Sequence, residues 1–132
     1  MMRNIYLLLV ILCAACGSAP EEPVFTAPGS LEGGWTLSTA QEAVEGVPDE
    51  IRQRGPRYAL RAVYDGPGSL TASFYLMPAE GSAFELVQKQ RPEPGKLRFY
   101  KGPWFVVLES EGQETAALSS IAADIERRLP AE

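Results

Sequence analysis

The sequence predicts an α+β domain built on a four-stranded antiparallel sheet, which consists of two hairpins and has helices packed on one face. Two observations predict the sheet. Residues 57–65 and 69–77 alternate in polarity around a Gly- and Pro-rich turn, and residues 97–101 and 104–110 flank a second Gly-Pro turn. A third observation predicts the helical layer, because apolar residues recur at helical spacing near the end of the chain.

The first hairpin has the most regular pattern in the chain. Every second residue of both runs is apolar: Tyr58, Leu60, Ala62 and Tyr64 in the first, and Leu70, Ala72, Phe74 and Leu76 in the second. The four residues 65–68 read Asp-Gly-Pro-Gly and predict the turn. A short helix is predicted before the hairpin, over residues 47–55, since Pro and acids begin this segment and arginines and Gly end it.

The second half of the domain is predicted to contain two further helices and the second hairpin. Ser82 and Glu85 have the spacing of a capping box, which predicts a helix to about Gln90 with Phe84, Val87 and Leu86 towards the sheet. The run that begins at Trp104 is apolar at successive positions, as in a strand buried on both faces. The last helix has one apolar stripe, formed by Leu118, Ile121, Ala122, Ile125 and Leu129.

The start of the chain resembles a lipoprotein export signal. Arg3 precedes an apolar run from Ile5 to Ala15, which is about half the length of the ~20 residues that a membrane span requires. Small residues then precede Cys16 in the order of the bacterial lipobox, although Cys13 stands where leucine is commonest. We therefore expect cleavage before Cys16 and lipidation of this residue. The alternative is an ordinary secretory signal beside a free cysteine.

This signal divides the chain into three parts. Residues 1–15 are the signal peptide, residues 16–30 the lipidated cysteine with a flexible Pro-rich tether, and residues 31–132 a single α+β domain. Val24 and Phe25 are the apolar exceptions in the tether, and the sequence leaves open whether they dock on the domain. The domain begins near Leu31, where the step from Gly34 to Trp35 predicts a turn that leads to a buried indole.

The composition excludes several classes of function for the mature chain. Cleavage leaves 11 basic and 17 acidic residues, a net charge of −6, which disfavours nucleic acid and anionic lipid headgroups as partners. Cleavage also removes Cys13, so no thiol remains for a disulfide or a zinc site. The chain has no histidine, which excludes Ser-His-Asp and Cys-His catalytic schemes. We expect no cofactor, no metal and no catalytic residues.

Arginines form the main concentration of candidate binding residues. The predicted basic patch consists of Arg52, Arg54, Arg57 and Arg61, and a wider version adds Lys89, Arg91, Lys96, Arg98 and Lys101. Such a patch suits an acidic partner or polymer, and the alternative is that these are solvated charges of strands and loops. The acidic pairs Asp49/Glu50 and Glu109/Glu111 are able in principle to transfer protons or bind calcium, but acids at helix starts and strand ends are usually solvated.

The order of the motifs resembles a bacterial envelope family of unknown function. The resemblance covers residues 31–129 and rests on structural motifs: Gly34-Trp35, Tyr64-Asp65-Gly66, Ser82–Glu85 with Gln88, Phe99–Gly102, Trp104–Val107 and the closing helix. It implies an exported domain with no assigned reaction and no catalytic residues to carry over.

These observations together predict a non-enzymatic lipoprotein that is anchored in the membrane through Cys16 and binds another envelope component. Gly17 rather than aspartate follows the cysteine, so in a two-membrane cell the protein is expected on the periplasmic face of the outer membrane. The alternative is a small-ligand or glycan binder that uses exposed aromatic side chains and arginines. A flat apolar patch would favour the first hypothesis, and exposed aromatics beside arginines in a concavity would favour the second.

Overall fold

The computed structural model describes residues 25–42, 45–113 and 115–130, and the predicted signal and Cys16 lie outside these residues. Within them the chain forms six strands and three helices. In chain order these are β1 (Ser30–Leu31), β2 (Trp35–Glu42), α1 (Asp49–Arg52), β3 (Tyr58–Asp65), β4 (Ser69–Leu76), α2 (Glu80–Lys89), β5 (Lys96–Lys101), β6 (Trp104–Glu109) and α3 (Thr115–Arg128). No helix in the described part of the chain has the length and apolar character needed to cross a membrane.

The predicted four-stranded sheet is wrong, because the described strands form one six-stranded antiparallel sheet in the order β1-β2-β3-β4-β6-β5, curled into a half-barrel. The two predicted hairpins are present as β3–β4 and β5–β6. The strands missed from the sequence are β1, which has two residues, and β2. Beyond Leu37 the side chains of β2 are exposed on both faces, and a register shift before Thr39 interrupts the period.

Helices cover both faces of the sheet, so the prediction that they pack on one face is also wrong. Alternate residues of β6 point to opposite sides: Trp104 and Val106 belong to the core under α3, whereas Phe105 belongs to the core under α1 and α2. The apolar stripe of α3 is buried as predicted. A strand that is apolar on both faces requires cover on both faces, and the separation of the helices provides it.

The helix α2 differs from its prediction at its start and in the position of Phe84, whereas Leu86 is buried and Val87 is partly buried, as expected. It begins at Glu80 after Ala79, with no side-chain cap, so Ser82 lies inside the helix and forms no capping box. Ala83 and Leu86 are its buried residues. Phe84 is 40% exposed and meets the ring of Tyr100 edge-on, with ring centroids 5.6 Å apart.

The larger core contains a residue from the segment that the sequence assigned to the tether. Phe25 is 6% exposed, and its ring centroid lies 4.9 Å from that of Phe74 and 5.5 Å from that of Trp104. Trp104 is fully buried, as predicted. Of the two alternatives that the sequence left open, Phe25 therefore adopts the docked one, while Val24 lies outside the described residues.

Hydrogen bonds fix the rest of this segment to the domain. The hydroxyl of Tyr64 donates to the carbonyl of Pro28 at 2.8 Å, and the amide of Leu37 donates to the carbonyl of Gly29 at 2.9 Å. The guanidinium of Arg128 donates to the carbonyl of Ser30 at 3.1 Å. Residues 25–30 thus belong to the folded unit. The tether predicted over residues 16–30 therefore ends before Phe25.

Asp124 on α3 is the buried charge that holds the turn after β1. One carboxylate oxygen accepts the amide of Glu32 at 2.9 Å, and the other accepts the side chains of Arg127 and Arg128, each at 3.1 Å. Burial raises the pKa of Asp124, but the hydrogen bond from Glu32 and the charge of Arg128 outweigh it, so the pKa is lowered overall. The ionised carboxylate therefore stabilises the folded state.

The lowered pKa predicts a pH-dependent effect of Asp124→Asn. A carboxyl whose pKa is lower in the folded state contributes stability that is fully present above its ordinary value of 3.8 and is lost as the pH falls through the folded value. At pH 7 we expect the variant to lose about 1.5–3 kcal/mol, the usual worth of a hydrogen bond to a charged group. Urea unfolding at pH 7 and pH 3 measures this, with the exposed Glu126→Gln on the same helix as the control. If variant and wild type differ in free energy of unfolding by the same amount at both pH values, the stabilising role of the Asp124 carboxylate is contradicted.

Candidate binding groove

The four arginines of the predicted basic patch do not form one surface. Arg54 donates to the carboxylate of Glu85 on α2 at 2.5 Å, and Arg52 pairs with Asp49 within α1. The hydrogen bond from Arg54 and its charge lower the pKa of Glu85. The residues separate because the chain passes from helix through a loop into a strand between positions 52 and 61.

Two depressions contain the remaining members of the patch. Arg57 lines one of about 430 Å³ together with Arg52 and Tyr58, and its backbone amide donates to the carbonyl of Leu76 at 2.7 Å. Arg61 lines another depression, of about 350 Å³, on the sheet face that α1 and α2 partly cover. We call the second depression the groove.

Alternate residues of the strands form the floor of the groove. Arg61 on β3 is directly opposite Ser73 on β4, Ser73 is opposite Val107 on β6, and Val107 is opposite Arg98 on β5. The four side chains therefore form one row across the sheet. Three strand spacings of about 4.8 Å put the two arginine Cα atoms about 14 Å apart in a flat sheet, and the curl of this one shortens the gap. Arg61 and Arg98 thus bound the groove on opposite sides.

A second row on the same face lies two residues further along each strand and carries both signs of charge. It consists of Thr71, Glu109 and Lys96, which are direct neighbours on β4, β6 and β5. The ammonium of Lys96 is 3.7 Å from a carboxylate oxygen of Glu109 and 3.7 Å from one of Glu93. The charges of this row largely neutralise one another.

Arg98 and Arg61 differ in their partners. Arg98 donates to the carboxylate of Glu93 and to the carbonyl of Arg91, both at 3.2 Å. The hydrogen bond from Arg98 and the charge of Lys96 lower the pKa of Glu93. Arg61 donates only weakly, to a backbone carbonyl of Gly46 at 3.5 Å, and forms no ion pair within residues 25–42, 45–113 and 115–130. Arg61 is therefore the cation of the groove whose charge is available to a ligand.

The helical end of the groove is apolar. Ile51 of α1 lines it and is 3% exposed, and the buried rings of Tyr75 and Phe105 stack beneath with centroids 6.1 Å apart. The side-chain amide of Gln90 donates to the carboxylate of Glu50, which links the end of α2 to α1. This wall is formed by packed helices rather than by a loose loop.

Neither of the two surfaces by which the sequence analysis distinguished its hypotheses is found in the described part of the chain. Phe84 is the one large apolar side chain there that is exposed, so there is no extended apolar patch. Tyr75 and Phe105 border the groove but are 3% and 1% exposed. Tyr58, the one aromatic that lines the depression around Arg57, is only partly exposed, so neither depression has a row of exposed aromatics. The groove offers arginine, hydroxyl groups and a small apolar wall.

The residues of the floor were not identified from the sequence. Thr71, Ser73 and Val107 occupy the positions that alternate with core residues, and Arg98 was only part of the wider basic patch. They could have been found by asking which residues lie on the second face of strands that are buried on both sides. Of the predicted acidic pairs, Asp49 and Glu109 form ion pairs, and no group of three or more potential metal ligands occurs in the residues that the structure describes.

Comparison of the chain with protein-family models, with curated proteins and with solved structures finds no match. The groove around Arg61 is accordingly the feature from which we infer a function.

Proposed function

We propose that this chain is a lipid-anchored protein of the bacterial cell envelope whose domain binds another envelope component at the groove and catalyses no reaction. The observation that carries the proposal is a concave surface of about 350 Å³ in which the charge of Arg61 has no acidic partner among the described residues. Concave sites with an apolar wall and a few convergent polar groups are typical of binding sites. The sequence of the first 16 residues supports the anchor.

The position of the groove on the sheet supports a binding role. Ser73 and Val107 belong to strands with a hydrogen-bonded neighbour on each side, so the floor has little freedom to move. A rigid floor lowers the entropy that is lost when a ligand binds. The groove is therefore pre-organised for recognition.

A small ligand or glycan is the second candidate for the bound component. The volume of about 350 Å³ falls in the range of roughly 300–1,000 Å³ that is usual for small-molecule sites. Cross-linking distinguishes the two candidates, because a protein partner forms a protein adduct and a small ligand does not.

Photo-cross-linking in cells tests the binding function. We expect a photoreactive residue at position 73 to give a discrete adduct in the intact envelope, because Ser73 lies in the centre of the groove. The control is the same residue at position 119, since Ser119 is exposed on α3 at the other face of the sheet. Equal adduct patterns at the two positions would contradict the groove as the binding surface.

The anchor is tested separately by Cys16→Ser. We expect this variant to lose incorporation of radiolabelled fatty acid and to leave the membrane fraction, because only Cys16 follows two small residues. Cys13→Ser is the matched control and should retain the label. Retention of the label by Cys16→Ser, or its loss from Cys13→Ser, would show that the assignment is wrong.

A further inference from the structure

We infer that the groove recognises a carboxylate or phosphate group joined to a small apolar portion, with the anion beside Arg61 and the apolar portion towards Ile51. This inference rests on the proposed binding function of the groove and names the chemical class of what is bound there. Carboxylates are planar and phosphates are tetrahedral, but both have anionic oxygens that accept hydrogen bonds from a guanidinium.

The hydrogen bonding of Arg61 favours an anionic ligand. Its hydrogen bond to Gly46 has a donor–acceptor distance of 3.5 Å, which is at the weak limit of such bonds. Arg98 and Lys96, the other cations that line the groove, are paired with Glu93. An oxyanion placed beside Arg61 therefore replaces a weak neutral acceptor by a charged one and displaces no existing ion pair.

The floor next to Arg61 offers further hydrogen-bond donors. Ser73 is its direct cross-strand neighbour, and such neighbours have Cβ atoms about 4.5–5.5 Å apart. The hydroxyls of Ser73 and Thr71 have no hydrogen-bond partner among the described residues, and both side chains are partly exposed. Each hydroxyl is thus available to donate to the same oxyanion.

The apolar wall of the groove favours a ligand with an apolar portion over a bare inorganic ion. Tyr75 follows Ser73 by two residues on β4, a step of about 7 Å along the strand, and packs with Phe105 beneath Ile51. A ligand whose anion is at Arg61 can therefore place a ring or a short aliphatic chain against this wall.

The acidic residues of the groove do not favour a cationic ligand. Glu109 is already paired with Lys96, and Glu50 accepts a hydrogen bond from Gln90. Both lie at the ends of the groove rather than in the row of Arg61 and Ser73. The central row consequently has positive charge and the hydroxyl donor of Ser73, with no acid.

Titration of the full chain in detergent micelles, followed by the amide resonances of the domain, tests the inference. The probes are benzoate and phenyl phosphate, with benzamide and benzylammonium as the neutral and cationic controls. We expect both anions, or one of them, to cause saturable shifts at Ser73 and Val107, and the controls to cause none. Shifts from one anion alone identify the source of the oxyanion. Shifts that are equal for benzamide and benzoate, or that map to the depression around Arg57, would overturn the inference.

Arg61→Gln and Arg52→Gln form a matched pair, since Arg52 is exposed and lies outside the groove. We expect Arg61→Gln to weaken anion binding by about tenfold, the loss of one charge-assisted hydrogen bond, and Arg52→Gln to leave it unchanged. Both variants should keep the wild-type unfolding midpoint, because exposed charges contribute little to stability. Equal affinity of the two variants would contradict the role of Arg61. Anion binding without any cross-linked adduct in cells would refute the proposed partner in the envelope while leaving this inference intact.

Discussion

We expect Trp104→Ala to lower the free energy of unfolding by about 3–5 kcal/mol, the usual loss for truncation of a large buried aromatic side chain. The indole is fully buried and contacts Phe25 at 5.5 Å and Tyr58 at 6.4 Å between ring centroids. Its removal leaves a cavity between the sheet and α3. Since small domains have only about 5–15 kcal/mol of total stability, the variant should unfold at much lower denaturant concentration.

Urea unfolding followed by far-ultraviolet circular dichroism measures this loss. Trp104→Phe is the control, because it keeps an aromatic ring in the core and should cost clearly less than alanine. Equal losses for the two variants would mean that the volume of the indole is not what stabilises this core.

Removal of residues 25–30 is expected to destabilise the domain by more than about 4 kcal/mol. Phe25 alone accounts for about 3–5 kcal/mol as a buried aromatic residue, and the hydrogen bonds to Pro28 and Gly29 add about 1 kcal/mol each. The sequence alone would lead to the opposite expectation, since it assigned these residues to a tether.

The comparison is between a chain that begins at Phe25 and one that begins at Leu31. Thermal unfolding should show a midpoint many degrees lower for the shorter chain, whereas Phe25→Leu in the longer chain should fall between the two. A shorter chain with the same midpoint would show that the docking of Phe25 contributes nothing.

The sequence predicted those parts of the fold that have an apolar period. The β3–β4 hairpin, the interior strand that begins at Trp104 and the stripe of α3 around Ile121 and Ile125 are present as expected. Each is buried on at least one face, so the spacing of its apolar residues shows which side chains are buried.

The other elements of the fold have no apolar period that the sequence could show. β2 is a largely exposed strand whose residues after Leu37 are polar apart from Ala40. Its neighbour β1 is held by tertiary contacts such as the hydrogen bond from Arg128 to Ser30. Phe25 is one apolar residue among prolines and acids, so its burial depends on a cavity formed by distant parts of the chain.

The groove could be predicted from the sequence only in part. Arg61 was among the candidates because of its type and its neighbours in sequence, but its partners in space come from β4, β5 and β6. Sequence proximity grouped it with Arg52 and Arg54, which the fold pairs with acids elsewhere. Only strand order and register bring Arg61, Ser73 and Arg98 into one row.

On the proposal that Cys16 carries a lipid, the docking of Phe25 also limits how far the domain can move from the membrane. Only eight residues separate Cys16 from Phe25, and the nine Cα-to-Cα steps between them span about 32 Å when fully extended. A tether that continued to Leu31 would allow about 50 Å. A lipid on Cys16 would thus keep Phe25 within about 32 Å of the bilayer surface. On that proposal, a component that binds at Arg61 would have to come within this distance of the membrane.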